Sequence, residues 1–431
     1  MASLMQARRS ASRGVRRRDL PGRAVMDNLG SRIIALGAVA AVTVLVARAG
    51  GPNDVGVLAL LRVLPGLAGV LAACGLPSAV GYFIAGPDRD HARLWPTLIA
   101  VMTAGGLAGT LIWFSLAPLI QRFFISSTTV AVVAAAGVTV LTQLPVSVAK
   151  ASLQALEDLR GSNVVMAGEE VAFLPAYIAG HLLGLRGPWL IVVALLVADV
   201  VVAIGAWVRI SRRVRGTGAQ LYGRADLGLA GRVLRFGLRS QVGGVVGLLN
   251  LRFDFLVLGA MAGPAAVGTY AVASKYAELL RLPALAVTWV TYPRVARMGP
   301  SRFGPRARRL MVPLLAGGLL VAAALSLMAF PLFPWVFGEQ FRDAIWPAVI
   351  IVCGLVAEPA AGVGSAFLLG SGRPGLNSLL LGAGLVVTLV LDVLLIPAHA
   401  AAGAAWASAS AYLLTDVLLV LVMLRLTKAR S

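Results

Sequence analysis

The chain has 431 residues, 59% hydrophobic and 13% charged, with a net charge of +20 and a mean hydropathy of +0.87. Soluble domains are nearer about 45–50% apolar and about 25% charged, so this composition excludes a soluble enzyme and describes a membrane protein with many spans. In a soluble chain the excess of 38 Lys and Arg over 18 Asp and Glu would suggest nucleic acid. Here the arginines gather in a tail and in alternate loops, where they set topology and meet anionic membrane lipids, so no nucleic-acid partner is expected.

The chain opens with Arg8, Arg9, Arg13, Arg16, Arg17, Arg18 and Arg23. This stretch is longer than the basic start of a signal peptide, and the apolar run after it is of full span length. Residues 1–28 are therefore read as a cytoplasmic tail before a retained helix. Apolar runs predict twelve helices, over 29–49, 55–85, 94–118, 127–148, 163–184, 188–210, 235–260, 266–296, 308–331, 344–370, 375–397 and 401–425. The second, eighth and tenth exceed one crossing and contain proline (Pro65 and Pro77, Pro283 and Pro293, Pro347 and Pro359), which predicts kinks.

Charge asymmetry orients this layout. Arg212, Arg213, Arg215 and Arg224 follow helix six, Arg297, Arg302 and Arg306 follow helix eight, and Lys428 and Arg430 end the chain. The opposite loops hold only Arg48, Arg122, Arg186 and Arg342. By the positive-inside rule both termini lie in the cytoplasm, which requires an even number of spans. The expected organisation is a six-helix bundle over 29–210, a cytoplasmic linker over 211–232, a second six-helix bundle over 233–425 and a tail over 426–431. Richness in Ala, Val, Gly and Arg suggests a GC-rich bacterial genome, so the expected location is a bacterial plasma membrane.

One pattern occurs twice. Gly51-Pro52-Asn53-Asp54-Val55-Gly56-Val57-Leu58-Ala59-Leu60 and Gly263-Pro264-Ala265-Ala266-Val267-Gly268-Thr269-Tyr270-Ala271-Val272 share G-P-x-x-V-G-x-x-A, 212 residues apart. A second echo matches Leu156 with Leu369 and Arg160 with Arg373, an offset of 213. Two halves of six helices each should be parallel repeats about an axis along the membrane normal, an architecture suited to rocking about a central site. Gly105 with Gly109, and Gly243 with Gly247, have the spacing that lets helices pack closely.

Ionisable groups in hydrocarbon are costly and mark function. The basic candidates are Arg62 in helix two, Arg252 in helix seven, and Lys275 and Arg281 in helix eight. The acidic ones are Glu169, Glu170, Asp199, Asp254, Glu278, Glu358, Asp392 and Asp416. Arg62 and Lys275 follow their Gly-Pro motifs at nearly matching depth. Facing cations suit a diphosphate, Arg by two-pronged hydrogen bonds and Lys as a point charge. The alternative is structural pairing: Lys275, Glu278 and Arg281 are spaced to neutralise one another along one helix face. Glu170, Glu358 and Asp392 are candidates for binding a coupling proton or sodium ion.

No catalytic motif is present: there is no nucleophile elbow, zinc-protease helix or phosphate-binding glycine loop. Cys74 and Cys353 lie in apolar segments, and His91, His181 and His399 have no ligand spacing, so neither a metal nor a cofactor is expected.

The run Leu251-Arg252-Phe253-Asp254, then Val267-Gly268-Thr269-Tyr270, Leu282-Pro283 and Tyr292-Pro293-Arg294 resembles the oligosaccharide flippase group of the multidrug/oligosaccharidyl-lipid/polysaccharide exporter superfamily. The resemblance implies an all-α polytopic fold of two pseudo-symmetric six-helix bundles in a V, as in the multidrug exporters and lipid II flippases. It also implies export of a polyprenyl-diphosphate-linked oligosaccharide for cell-surface polysaccharide, alongside glycosyltransferase or polymerase partners. Carried over, Arg62, Arg252, Lys275, Asp254, Glu278 and Arg281 become substrate-binding candidates. The rivals are a cation-coupled drug antiporter of the same superfamily and a membrane-embedded glycan polymerase or ligase. The antiporter would call for a carboxylate deep in helix one, which has none after Asp27; the polymerase would need a large outer loop, and the loops here are short.

Overall fold

The computed structural model describes residues 21–86, 91–215, 221–281, 284, 287, 291, 295, 297–298 and 300–428. Most of the basic tail, residues 87–90, part of the linker and Arg430 lie outside the described residues, as do Pro283 and Pro293. Among the described residues the structure is all-helical. In chain order the helices are α1 (Pro21–Ala72), α2 (Leu76–Ala85), α3 (His91–Phe124), α4 (Val130–Ala136), α5 (Val138–Ala155), α6 (Leu159–Leu182), α7 (Gly187–Arg215), α8 (Leu227–Ala277), α9 (Pro300–Val336), α10 (Ile345–Gly354), α11 (Glu358–Gly370) and α12 (Pro374–Lys428). Short 3₁₀ turns cover Glu278–Leu280 and Glu339–Ala344.

These twelve helices are not one span each. The long α1, α8 and α12 are each two spans joined at a break, at Gly51, Gly263 and Ala400. Conversely, α2 completes the second span, α4 with α5 forms the fourth, and α10 with α11, bent by 42°, forms the tenth. The result is the expected twelve spans. Polar residues within α6 lower its hydropathy, yet its 24 residues make it long enough to cross. Helix one starts at Pro21, ahead of its predicted residue 29. The second span breaks at Cys74 and Gly75, both at positive φ, rather than at Pro65.

The repeated motif has a backbone cause. Gly51 (φ 67°, ψ −163°) and Gly263 (φ 79°, ψ 178°) hold the same conformation, which a side chain disfavours. Each is followed by proline, which suits the first turn of a helix because its missing N–H has no partner there anyway. The later glycine serves packing. A Cβ on Gly56 would overlap the Pro264 carbonyl and lie 2.9 Å from Gly268 N; a Cβ on Gly268 would overlap the Pro52 carbonyl and lie 2.8 Å from Gly56 N. Spans two and eight therefore cross backbone to backbone, each contributing the same residues.

The second echo is real but shifted. Glu157 (φ 57°) and Gly372 (φ 72°) are the left-handed residues that end the fourth and tenth spans. Asp158 N–H donates to Leu153 O at 2.8 Å, and Arg373 N–H to Leu368 O at 2.9 Å. The structural offset is thus 215, and the matched Leu and Arg identities at 213 fall two residues out of register.

The core has the form of a V. Toward the end bearing Gly51 and Gly263, one core joins both halves, from Val42, Leu60 and Ile191 across to Tyr270, Phe333 and Phe341. Toward the arginine-rich end it divides, with Leu76, Trp95 and Ile210 on one side and Phe303, Ala307 and Phe367 on the other. At the joined end Arg48 adds a latch, donating to Val336 O at 2.8 Å and to Trp335 O. Gly105 and Gly109 bring α3 against Ala72 of the second span; packing around Gly243 and Gly247 lies outside the described residues.

The start of α8 bridges the arms at the basic end. Leu229 and Val233 belong to the first half's core. Phe236 stacks on Tyr82 with centroids 4.4 Å apart, and Gly237 meets Gly75 backbone to backbone. Asp226 caps α8 through Leu229 N–H at 2.9 Å, receives Arg93 at 3.3 Å, and its own N–H donates to Thr97 at 2.9 Å. Gln241 reaches the Val70 carbonyl.

Candidate functional site

Between the arms lies a cavity of about 580 Å³ lined by Arg62, Arg252 and Lys275 together with Glu169, Glu170 and Asp199. Each group is placed by a helix that also packs in the core. Arg62 stands ten residues after Pro52 on the second span, between buried Leu61 and Val63. Its guanidinium donates to Glu170 Oε2 at 2.8 Å and lies 5.0 Å from the Phe173 ring centroid. Lys275 pairs with Glu278 at 2.9 Å, one helical turn on, which is the neutralisation its spacing allows. Arg252 has no ion-pair partner among the described residues and rests over the Phe255 ring, 5.6 Å from its centroid. On the first-half side, Glu169 is 3.9 Å from Lys150, and Asp199 accepts from Thr142 at 2.8 Å.

A second cavity of about 350 Å³ sits inside the second half and shares Arg252 and Phe255 with the first. Arg281 and Glu278 line it rather than the central cavity. Arg281 lies 4.4 Å from the Tyr412 ring centroid and 3.9 Å from Glu358. Asp254 also faces this cavity, accepting from Tyr270 OH at 2.5 Å, and Tyr270 is in turn 2.9 Å from Ser408. The twelve residues singled out by charge therefore fall into groups. Arg62, Glu169, Glu170, Asp199 and Lys275 line the central cavity; Asp254, Glu278, Arg281, Glu358 and Asp416 line the inner one; Arg252 lines both. Asp392 lines neither: it is fully buried, and neither carboxylate oxygen has a hydrogen-bond partner.

Uncharged polar residues complete the central cavity and carried no signal in the charge pattern. Gln143 and Ser147 come from α5, one turn apart, and Ser240 and Gln241 from α8. Their only mark in sequence is polarity inside an apolar run. Tyr270 and Tyr412, which hold Asp254 and Arg281, would be read from sequence as ordinary aromatic core.

Chemically, the central cavity sets three cations and three carboxylates side by side in a cleft, where charge–charge attraction is stronger than in water.

Known proteins share the fold. The chain is similar to the lipid II flippase MurJ in its inward closed conformation, at a TM-score of 0.71, 13% identity and coverage of 94% of this chain and 90% of that one. An inward-facing multidrug resistance MATE family transporter of the MOP superfamily matches at 0.66, with 18% identity and coverage of 92% and 94%. A MOP superfamily transporter from Pyrococcus furiosus matches at 0.57, with 17% identity and coverage of 96% and 97%. At these identities the likeness is one of fold, and it bears out the all-α V of two six-helix bundles. The inner membrane protein YghQ of Escherichia coli strain K12 is 33% identical over 91 residues, which is 21% of this chain and only about a quarter (26%) of that protein's length. The polysaccharide biosynthesis protein family matches residues 45–346, from the end of the first span to the start of the tenth. The chain is a multi-pass membrane protein that belongs to the polysaccharide biosynthesis protein family, built on the fold of the multidrug/oligosaccharidyl-lipid/polysaccharide exporters.

Proposed function

We propose that the protein flips a polyprenyl-diphosphate-linked oligosaccharide from the inner to the outer leaflet of a bacterial plasma membrane during assembly of cell-surface polysaccharide. The observation that carries this reading is a single cavity between two repeated halves into which both halves send cations, Arg62 from one and Arg252 and Lys275 from the other. A phosphate-bearing head group is the ligand such groups fit. The cavity has room for the diphosphate and the nearest sugars, while the polyprenyl chain stays in the bilayer that already solvates it. Sugar hydroxyls cannot cross hydrocarbon unaided, and the polar lining replaces their water.

In this reading both termini are cytoplasmic and the bundles 29–210 and 233–425 rock about their joined end, with 211–232 linking them. Arg252, with no carboxylate within ion-pair distance among the described residues, meets the diphosphate first; Lys275 and Arg62 then exchange Glu278 and Glu170 for phosphate oxygens. Glu170, Glu358 and Asp392 are the candidates for carrying a coupling cation. Nothing in this cycle breaks a bond, so the protein works as a transporter beside the glycosyltransferases and polymerases that make and extend its cargo.

A second reading has its own support: Glu169, Glu170 and Asp199 in the same cavity suit an organic cation, as in a drug antiporter. Reconstituted proteoliposomes separate the two. Flipping of polyprenyl-diphosphate oligosaccharide by wild type should fall at least about ten-fold in Arg252→Ala, Arg62→Ala and Lys275→Ala. Flipping unmoved by all three changes removes the anion site. No flipping, together with cation-driven efflux of an organic dye, establishes the antiporter.

A further inference from the structure

The charges of the central cavity are sorted by half. The first-half wall carries three carboxylates, Glu169, Glu170 and Asp199, against the single cation Arg62. Among the described lining residues, the second-half wall carries Arg252 and Lys275 and no carboxylate. The internal pairs leave this contrast standing. Arg62 and Glu170 satisfy each other at 2.8 Å. Among the described residues, the cation within ion-pair distance of Glu169 is Lys150, at 3.9 Å, longer than a hydrogen bond; Asp199 accepts from a hydroxyl, Thr142, and has no cation within that distance. Opposite them Arg252 is without an ion-pair partner among the described residues. Among the described lining residues, one wall is therefore net negative and the other net positive.

We propose that this sorting reads the sugar as well as the diphosphate. The diphosphate takes the second-half wall at Arg252 and Lys275 and draws Arg62 across from the first. The first sugars take the first-half wall, where Glu169 and Asp199 accept hydrogen bonds from hydroxyl or ammonium groups and repel carboxylate. Gln143 and Ser147, on the neighbouring face of α5, add uncharged partners for the same ring. The cargo class is a neutral or amine-bearing glycan, and glycans with a uronic or other acidic sugar next to the diphosphate are excluded. This inference rests on the flippase reading above and adds a selectivity filter to it.

The test uses the full-length protein and two short-chain analogues, citronellyl diphosphate linked to one sugar, differing only in CH₂OH against COO⁻ at C6. Binding is measured in detergent by calorimetry, and flipping of the matched long-chain lipids in proteoliposomes. A carboxylate brought within a few ångströms of a partly compensated one at an effective dielectric of about 20 loses about ten-fold in affinity, which is the preference expected of wild type for the neutral sugar. Glu169→Gln and Asp199→Asn, tested separately so that one misfolded variant does not decide the matter, should each narrow that ratio to about three-fold or less. An amino sugar should bind wild type at least as tightly as the neutral one.

Equal affinity for neutral and acidic analogues, or a ratio that neither variant moves, overturns the filter. If both lipids are also flipped equally well, the flippase reading survives without it. If neither analogue binds and neither lipid is flipped, both fall together. A selective binding ratio without flipping upholds the filter and removes translocation.

Discussion

Arg252 is the residue on which the cavity's chemistry turns, because among the described residues it is the central-cavity cation with no carboxylate within ion-pair distance. Charge-assisted hydrogen bonds to phosphate contribute about 1.5–3 kcal/mol each, so Arg252→Ala should weaken a diphosphate ligand by at least about ten-fold. Arg252→Lys keeps the charge and loses the fork, and should recover only part of that affinity. Asp158 plays a different part at the basic end. It caps α6 through Gly161 N–H at 3.0 Å and receives Arg209 at 2.6 Å and Arg213 at 3.0 Å from α7. The Arg209 hydrogen bond holds its carboxyl below the ordinary value of 3.8, against an opposing push from burial. A carboxylate lowered by folding lends full stability above its unfolded value and loses it as the pH falls through the folded one. Asp158→Asn keeps a capping oxygen and removes both ion pairs. With the arginines 45% and 48% exposed, the cost should be about 1 kcal/mol near neutral pH and should vanish below the lowered value. Thermal unfolding in detergent across that range measures both.

At the scale of elements, the motif glycines make the sharpest prediction. Alanine at Gly56 or Gly268 cannot be accommodated while spans two and eight cross as they do, because the overlapping atom is a backbone carbonyl that has nowhere to move. Either substitution should shift the protein away from this arrangement and expose the joined end, read as faster thiol labelling of a cysteine placed at Ala266. The spans themselves were legible in the sequence because a bilayer asks for about 20 apolar residues and the chain supplies them repeatedly. The repeat was legible because Gly-Pro answers a backbone demand that few other residues meet. The partners of the charged groups were not. Arg62 and Glu170 are 108 residues apart, and nothing local says that they meet. Arg281 has the spacing to join Lys275 and Glu278 but turns to Tyr412 and Glu358 in the inner cavity. The second echo misled by two residues because it followed side-chain identity, whereas the feature the two turns share is the left-handed residue that closes each.

For the whole molecule, alternating access requires that the bridge between the arms part. The first turns of α8 hold the arms together through Asp226, Phe236 and Gly237. With Cys74 and Cys353 replaced by serine, a short bifunctional thiol reagent joining Tyr82→Cys to Phe236→Cys should abolish transport, and a cleavable version should restore it on reduction. Transport that continues with the link intact would mean that cargo enters by another route. Breaking Asp226 alone, by Asp226→Asn, should open the bridge more often without unfolding the protein, since its partner Arg93 is 63% exposed and the pair contributes little to stability.

The crossing of Gly56 and Gly268 has a consequence for how such a chain could arise. Residue for residue it is reciprocal: the first motif's glycine meets the second motif's proline carbonyl, and the second motif's glycine meets the first's. That is the signature of an isologous interface, in which one surface binds its own copy. A six-helix ancestor with a single G-P-x-x-V-G could have paired with itself through this seam before any gene duplication. Fusion of two copies would then have freed each half to diverge, one wall gathering carboxylates and the other keeping its cations, while the seam stayed bound to glycine on both sides.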